Sequence, residues 1–219
     1  MITFEMIRSN EEIRTYIAKG NRNLGVLGFT EHAFAHAMKA ADTAAKILTE
    51  LGHDAREVEL ARIAGFMHDL GNCINRTDHA HTGALMAMNI LRDMGMAPAE
   101  IAVIAAAIGN HDEKTGTAVD AVSAALILAD KTDVRRSRVR GGDRTRFDIH
   151  DRVNYAAISS ELNIDKEAKC ITLDITLDDS LCSVLDYFEI FLGRMVMCRR
   201  AAEKLGCTFR MNANGAKVL

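Results

Sequence analysis

Helix breakers are almost missing from this chain: one proline, Pro98, occurs in 219 residues, and alanine-rich apolar stretches fill the first two thirds. Alanine is the best helix former and proline the worst, by about 3 kcal/mol in a helix interior. The chain is therefore predicted to be mainly helical. Boundary signals divide the helices. Ser9 with Glu12 reads as a capping box that starts a first helix. Thr30 caps a long helix over residues 31–51. Asp54 with Glu57 forms a second capping box, opening a helix that ends at His68. Residues 71–77 read as a loop, and Asp78 as the cap of a helix running to about residue 94. Pro98 suits the first turn of a helix over 99–110, and residues 119–133 form another. These helices are apolar on most of their faces, as helices in a bundle are.

The pattern changes after Asp133. Residues 134–147 carry Arg135, Arg136, Arg138, Arg140, Arg144 and Arg146 with Gly141 and Gly142, which reads as a loop. Beyond it the apolar period becomes two. Ile158, Leu162 and Ile164 alternate with polar residues, residues 165–169 turn, and Ile171, Leu173, Ile175 and Leu177 alternate again, which predicts a β-hairpin. Residues 180–205 form an amphipathic helix with Val184, Phe188, Phe191 and Met195 on one stripe, and residues 207–211 are expected to return as a third strand. The expected architecture is a mainly α protein: a helical bundle over residues 1–147 and a small α+β subdomain over 148–219.

Hydrophobic residues at 48%, charged residues at 26% and a net charge of -3 describe an ordinary soluble globular protein, with no overall attraction to nucleic acid or to an anionic membrane. The five cysteines include no CxxC pair and are odd in number, so they are read as reduced thiols of a cytoplasmic protein. The polar start MITFEMIRSNEEIR is not a signal peptide, and no apolar run reaches the ~18 residues that a membrane span needs.

The chemistry-bearing residues sit at helix ends and inside apolar helices. His68 and Asp69 are adjacent in AGFMHDLGN and close a helix whose other residues are mostly core. Asp130 ends the uncharged run SAALIL, where a bare carboxylate costs several kcal/mol unless paired or bound to a cation. His111 follows IAVIAAAIGN in the same way. His36 lies on the alanine-rich helix at the border of its polar face, where periodicity places it half-exposed, and His79 begins the next helix but one. Taken singly, a histidine at a helix end is usually a cap against the helix dipole. An Asp in such a helix is usually ion-paired, but the adjacent Lys131 should project elsewhere. Together, imidazole nitrogens and carboxylate oxygens make a donor set suited to Fe, Mn, Zn, Co or Ni, with Fe or Mn expected first.

The order His36, His68–Asp69, Asp130 resembles the H…HD…D signature of the HD superfamily of metal-dependent phosphohydrolases. TEHAFAHAMKAA resembles that family's first-His helix, MHDLGN its HD turn and LILADK its last-Asp helix. HAHTGA resembles the H-x-x-x-G-A segment of bimetallic members, with its His at His79 rather than His81, and IGNHDEKTG their second additional His segment, at His111. The resemblance implies an HD-type helical bundle holding two divalent transition metals. His36, His68 and Asp130 would serve one metal, His79 and His111 the other, and Asp69 would bridge them. The chain departs from the pattern where many members carry a phosphate-binding Lys in HD-x-G-K, because here that residue is Asn72. Arg76, Lys131, Arg135 and Arg138, with His32 one turn before His36, are the candidates for substrate phosphate.

The implied reaction is hydrolysis of a nucleotide or other small phosphate ester by a metal-activated water, with Asp69, His68 and Lys131 as catalytic residues. Two alternatives share the ligand set or the fold: an HD-type mixed-valent di-iron oxygenase, and a non-catalytic regulatory module. The expected partners are a small phosphorylated molecule and a second copy of the chain in a homodimer, with no membrane and no nucleic acid. The arginine-rich segment is read chiefly as a solvated loop that pairs with acidic neighbours across that dimer.

Overall fold

The computed structural model describes residues 1–140 and 149–219, with Ile149 described by its backbone alone. Two helices lead the chain, α1 (Phe4–Ser9) and α2 (Glu11–Val26). The capping residue is Asn10, whose Oδ1 accepts from the Ile13 amide at 3.1 Å. Ser9 is instead the last residue of α1, and its hydroxyl donates back to the Glu5 carbonyl at 2.7 Å. The next helix, α3 (Phe34–Leu51), begins at N-cap Ala33, with no side-chain cap, rather than at Thr30. Asp54 does cap α4 (Ala55–Met67), accepting from the amides of Arg56 and Glu57 at 2.9 and 3.0 Å. The Glu57 carboxylate binds His53 at 2.7 Å, so no reciprocal box forms.

A short 3-10 turn, Leu70–Cys73, replaces the start of the expected loop, and α5 (His79–Asp93) and α6 (Pro98–Gly109) follow. α7 (Ala121–Lys131) is opened by a capping box between Asp120 and Ser123. Every residue from Val122 to Ala129 is buried, which makes α7 the central helix, packed against α3, α4, α6 and later α9. α3 and α4 meet backbone to backbone: a Cβ on Gly65 would lie 2.7 Å from Ala41 Cα. Buried Ala37, Ala40, Ala41 and Ala44 face buried Ala61 and Ala64 across this seam. Small side chains permit the approach, and the approach sets His36 opposite His68.

The C-terminal part holds α8 (Ile149–Ala156), β1 (Ala157–Asp165), β2 (Cys170–Leu177), α9 (Val184–Lys204), β3 (Thr208–Ala213) and β4 (Ala216–Lys217). The sheet order is β1-β2-β3-β4. β1 pairs antiparallel with β2 in the expected hairpin, β3 returns parallel to β2 from Cys170↔Thr208 to Ile175↔Ala213, and β4 adds antiparallel at the edge. α9 packs between α7 and the sheet. One expected core position fails. Ile158 is 63% exposed, because the register shifts between Ala157 and Ser159 and the irregularity turns the side chain outward. No helix among the described residues is long and apolar enough to cross a membrane.

Candidate metal centre

The seam between α3 and α4, the end of α7 and the starts and ends of α5 and α6 deliver six side chains to one place. His36 comes from the first turn of α3, His68 and Asp69 from the turn that ends α4, His79 from the first residue of α5, His111 from just beyond α6, and Asp130 from the last turn of α7. All four imidazoles are buried. His36 is buried although its helical position suggested half-exposure, because the face it occupies is covered by α4 and the end of α7.

The hydrogen bonds fix which nitrogen of each ring faces inward. Nδ1 of His36 donates to Asp133 Oδ2 at 2.8 Å. Nδ1 of His68, His79 and His111 donates to the carbonyls of Gly65, Arg76 and Ile108 at 2.8, 3.1 and 2.6 Å. A neutral imidazole that donates through Nδ1 presents a lone pair at Nε2. Those lone pairs converge: His36 Nε2 lies 3.2 Å from His68 Nε2, and His79 Nε2 lies 3.2 Å from His111 Nε2. Asp130 Oδ1 stands 3.3 Å from His36 Nε2 and 3.7 Å from His68 Nε2. Asp69 divides its oxygens, with Oδ2 3.3 Å from His68 Nε2 and 3.7 Å from His36 Nε2, and Oδ1 3.6 Å from His79 Nε2. Asp69 Oδ2 is buried without a hydrogen-bond donor. Acceptors facing acceptors at these distances repel one another unless a cation stands among them. Two groups of atoms lie within 4.8 Å of one another, His36–His68–Asp130 and His68–Asp69–His111, and either could hold a metal ion. The donor set therefore fits divalent metal.

Electrostatics agree. Burial would raise the Asp69 and Asp130 carboxyls, yet His68 and His32 beside Asp69, and Lys131 beside Asp130, hold both well below the ordinary range. Burial and the charge of His68 press His111 down to about 3, so its Nε2 is unprotonated at neutral pH. At His68 burial opposes the proton, but the Asp69 and Asp130 carboxylates outweigh it and raise the pKa. A centre that draws a proton against burial is one that favours positive charge.

The remaining candidates divide. Lys131 does not project elsewhere: its buried ammonium lies 2.6 Å from Asp130 Oδ2. Arg76 reaches the cluster, with Nη1 3.2 Å from His79 Nε2, 3.3 Å from Asn72 Oδ1 and 3.8 Å from Asp69 Oδ1. His32 precedes α3 rather than lying on it. Its Nδ1 bonds the Thr30 carbonyl at 2.8 Å and its ring packs edge-on to His36 at 5.4 Å. Arg135 and Arg138 are turned away to Asp133, at 2.6 Å through Arg135 Nε and 2.8 Å from Arg138 Nη1 to the Asp133 carbonyl. Arg136 bonds the Tyr155 carbonyl at 2.6 Å and Arg140 the Phe29 carbonyl at 2.9 Å. Arg135, Arg138 and Arg140 brace the fold, Arg136 is exposed as a solvated segment requires, and Arg144 and Arg146 lie outside the described residues. His81 is exposed and paired with Asp78.

Sequence reasoning missed two residues. Asp133 is the carboxylate behind His36, and the signal was a second Asp three residues past Asp130 in ADKTDV. Asn72, noticed only as a missing lysine, is buried and donates to Asp69 Oδ1 at 2.7 Å.

The chain is similar to known proteins. The uncharacterized protein MJ1020 of Methanocaldococcus jannaschii is 25% identical over 203 residues, covering 82% of this chain and 77% of that one. The crystal structure of a predicted HD superfamily hydrolase from an uncultured Thermotogales bacterium is 24% identical, with a TM-score of 0.45 over 57% of this chain and 67% of the other. The HD domain family matches residues 33–173, a span that contains all six clustered side chains, and this chain belongs to that family.

Proposed function

We propose that the protein is a metal-dependent phosphohydrolase that cleaves a nucleotide or other small phosphate ester. The observation that carries this reading is the convergence of four inward Nε2 atoms on two carboxylates, one of them, Asp69, with its two oxygens facing different histidines. Divalent metal bound by these residues, iron or manganese by preference, would supply a water acidic enough to attack phosphorus at neutral pH. The chain's own residues supply the rest. Asp69 shares one negative charge between the two halves. Lys131 neutralises the outer oxygen of Asp130 and keeps that side chain in place. Arg76 lies at the cluster edge, where a guanidinium can meet phosphoryl oxygens and stabilise charge that grows as the bond breaks. Phe29 is 43% exposed with its ring 5.7 Å from that guanidinium, a surface on which a nucleobase can stack. Its place beside Arg76 supports a nucleotide over a bare phosphomonoester. Burial pushes the Cys198 thiol up to about 12, which argues against it as a competing nucleophile.

The test is a hydrolysis screen with added Mn2+ or Fe2+ across phosphomonoesters, dinucleoside polyphosphates and cyclic dinucleotides, with Asp69→Asn as the control. Metal-dependent release of phosphate or a nucleotide, abolished in Asp69→Asn, is expected. Oxygen consumption by a di-iron form with no phosphoester hydrolysis would replace this reading with the oxygenase.

A further inference from the structure

Three of the four imidazoles are supported alike. His68, His79 and His111 each donate Nδ1–H to the carbonyl three residues earlier in the chain. His36 alone donates to a carboxylate, Asp133, 97 residues away. Asp133 is itself gripped. Arg135 binds it through Nε at 2.6 Å and Nη2 at 3.1 Å, and the buried Arg138 places Nη1 3.7 Å from Oδ2. Asp112 also approaches a ring, but its Oδ2 is 3.8 Å from His79 Nδ1, beyond hydrogen-bond range.

An anionic acceptor at Nδ1 polarises an imidazole more than a carbonyl does, and makes its far nitrogen a better donor to a cation. The opposite half is handicapped. Its His79 Nε2 faces the Arg76 guanidinium at 3.2 Å, so positive charge already stands beside the nitrogen that a second cation would use.

We infer that the two halves of the centre are unequal: Asp133 is a positioning residue that makes the His36–His68–Asp130 half bind a divalent cation first and more tightly, and Arg76 must leave His79 before the second half fills. The inference rests on the metal-binding part of the proposed function and not on phosphoester hydrolysis. An active enzyme that binds two equal ions overturns this inference alone. A protein with unequal sites and no hydrolysis overturns only the function.

The full chain, stripped with chelator and titrated with Mn2+ while free Mn2+ is read by electron paramagnetic resonance, gives the affinities. Wild type should show two classes separated by at least about 10-fold, and Asp133→Asn, which keeps an acceptor but loses the charge, should weaken the tighter class by about 10-fold and the weaker class by less than about 3-fold. Arg76→Gln should tighten the weaker class and leave the tighter one in place. A single class in wild type, or an Asp133→Asn loss shared equally by both classes, overturns the inference. Long-range 1H–15N spectra of the metal-free wild type add a measurement that needs no variant to fold. His36 should carry a proton on Nδ1 with a strongly downfield resonance, and a His36 Nδ1 that carries no proton would overturn the role of Asp133.

Discussion

A methyl group added at position 71 would stand 2.0 Å from the His79 carbonyl oxygen and 2.7 Å from the Gly83 nitrogen. Both are backbone atoms, which cannot swing aside as a side-chain end can. Gly71→Ala should therefore push the 3-10 turn off α5, at a cost of about 3 kcal/mol or more, the upper range for overpacking. Because Asp69 and His79 sit on the two sides of that contact, Mn2+ binding should fall with stability. Denaturant melts and metal content check both, and a variant as stable as wild type would contradict the packing. His79→Ala should lose about one metal equivalent per chain while His81→Ala keeps both, since His79 lies in the cluster and His81 is exposed beside Asp78. At this scale the sequence was informative where chemistry is local. His68–Asp69 declares itself by adjacency, and Asp130 by its place in an uncharged run. His36 was misjudged as half-exposed because helix periodicity knows nothing of α4 covering that face. Asp133 left no more than its spacing from Asp130 as a signal, and the commitment of Arg135 and Arg138 to it left none, because the carboxylate's meaning comes from a histidine 97 residues earlier.

α9 carries the link between the helical part and the sheet. Phe191 is fully buried, with the Tyr187 ring 5.3 Å away in an edge-to-face contact and the Arg194 guanidinium 4.2 Å from its centre. Phe191→Ala should destabilise the protein by about 3–5 kcal/mol, the usual cost of deleting a buried aromatic ring. No clustered side chain comes from α9, so metal stoichiometry should be unchanged when measured well below the melting point. Loss of metal at full folding would mean that α9 shapes the centre directly. Elements of strong period were readable: the hairpin, the apolar stripe of α9 and the return of a strand after it. The parallel pairing of that strand with β2 was not, because nothing local in TFRMNA distinguishes a parallel from an antiparallel neighbour. Helix starts were missed where the cap is weak or competing. Ala33 opens α3 with no side-chain cap, and Asn10, not Ser9 with Glu12, caps α2.

Across the whole molecule, the centre joins parts of the chain that are otherwise far apart, since residues 36, 69, 79, 111 and 130 belong to five different helices or helix ends. Their inward atoms converge only in the folded state, and an unfolded chain holds no such site. Metal that binds only the folded centre should therefore raise stability by RT ln(1 + [L]/Kd), or about 2.7 kcal/mol when free metal stands at 100 times Kd. For a domain of this length each 1 kcal/mol shifts the melting temperature by roughly 2–4 °C, so excess Mn2+ should raise Tm by about 5–10 °C over chelated protein. Asp69→Asn removes the shared charge and should lose most of that rise. The histidines around Asp69 hold its carboxyl well below the ordinary range, so its charge also stabilises the metal-free fold, and chelated Asp69→Asn should melt lower than chelated wild type. The paired measurement separates a centre that binds metal from residues that merely pack: a Tm indifferent to Mn2+ in wild type, or a rise preserved in Asp69→Asn, would mean that the cluster does not hold its cation through Asp69.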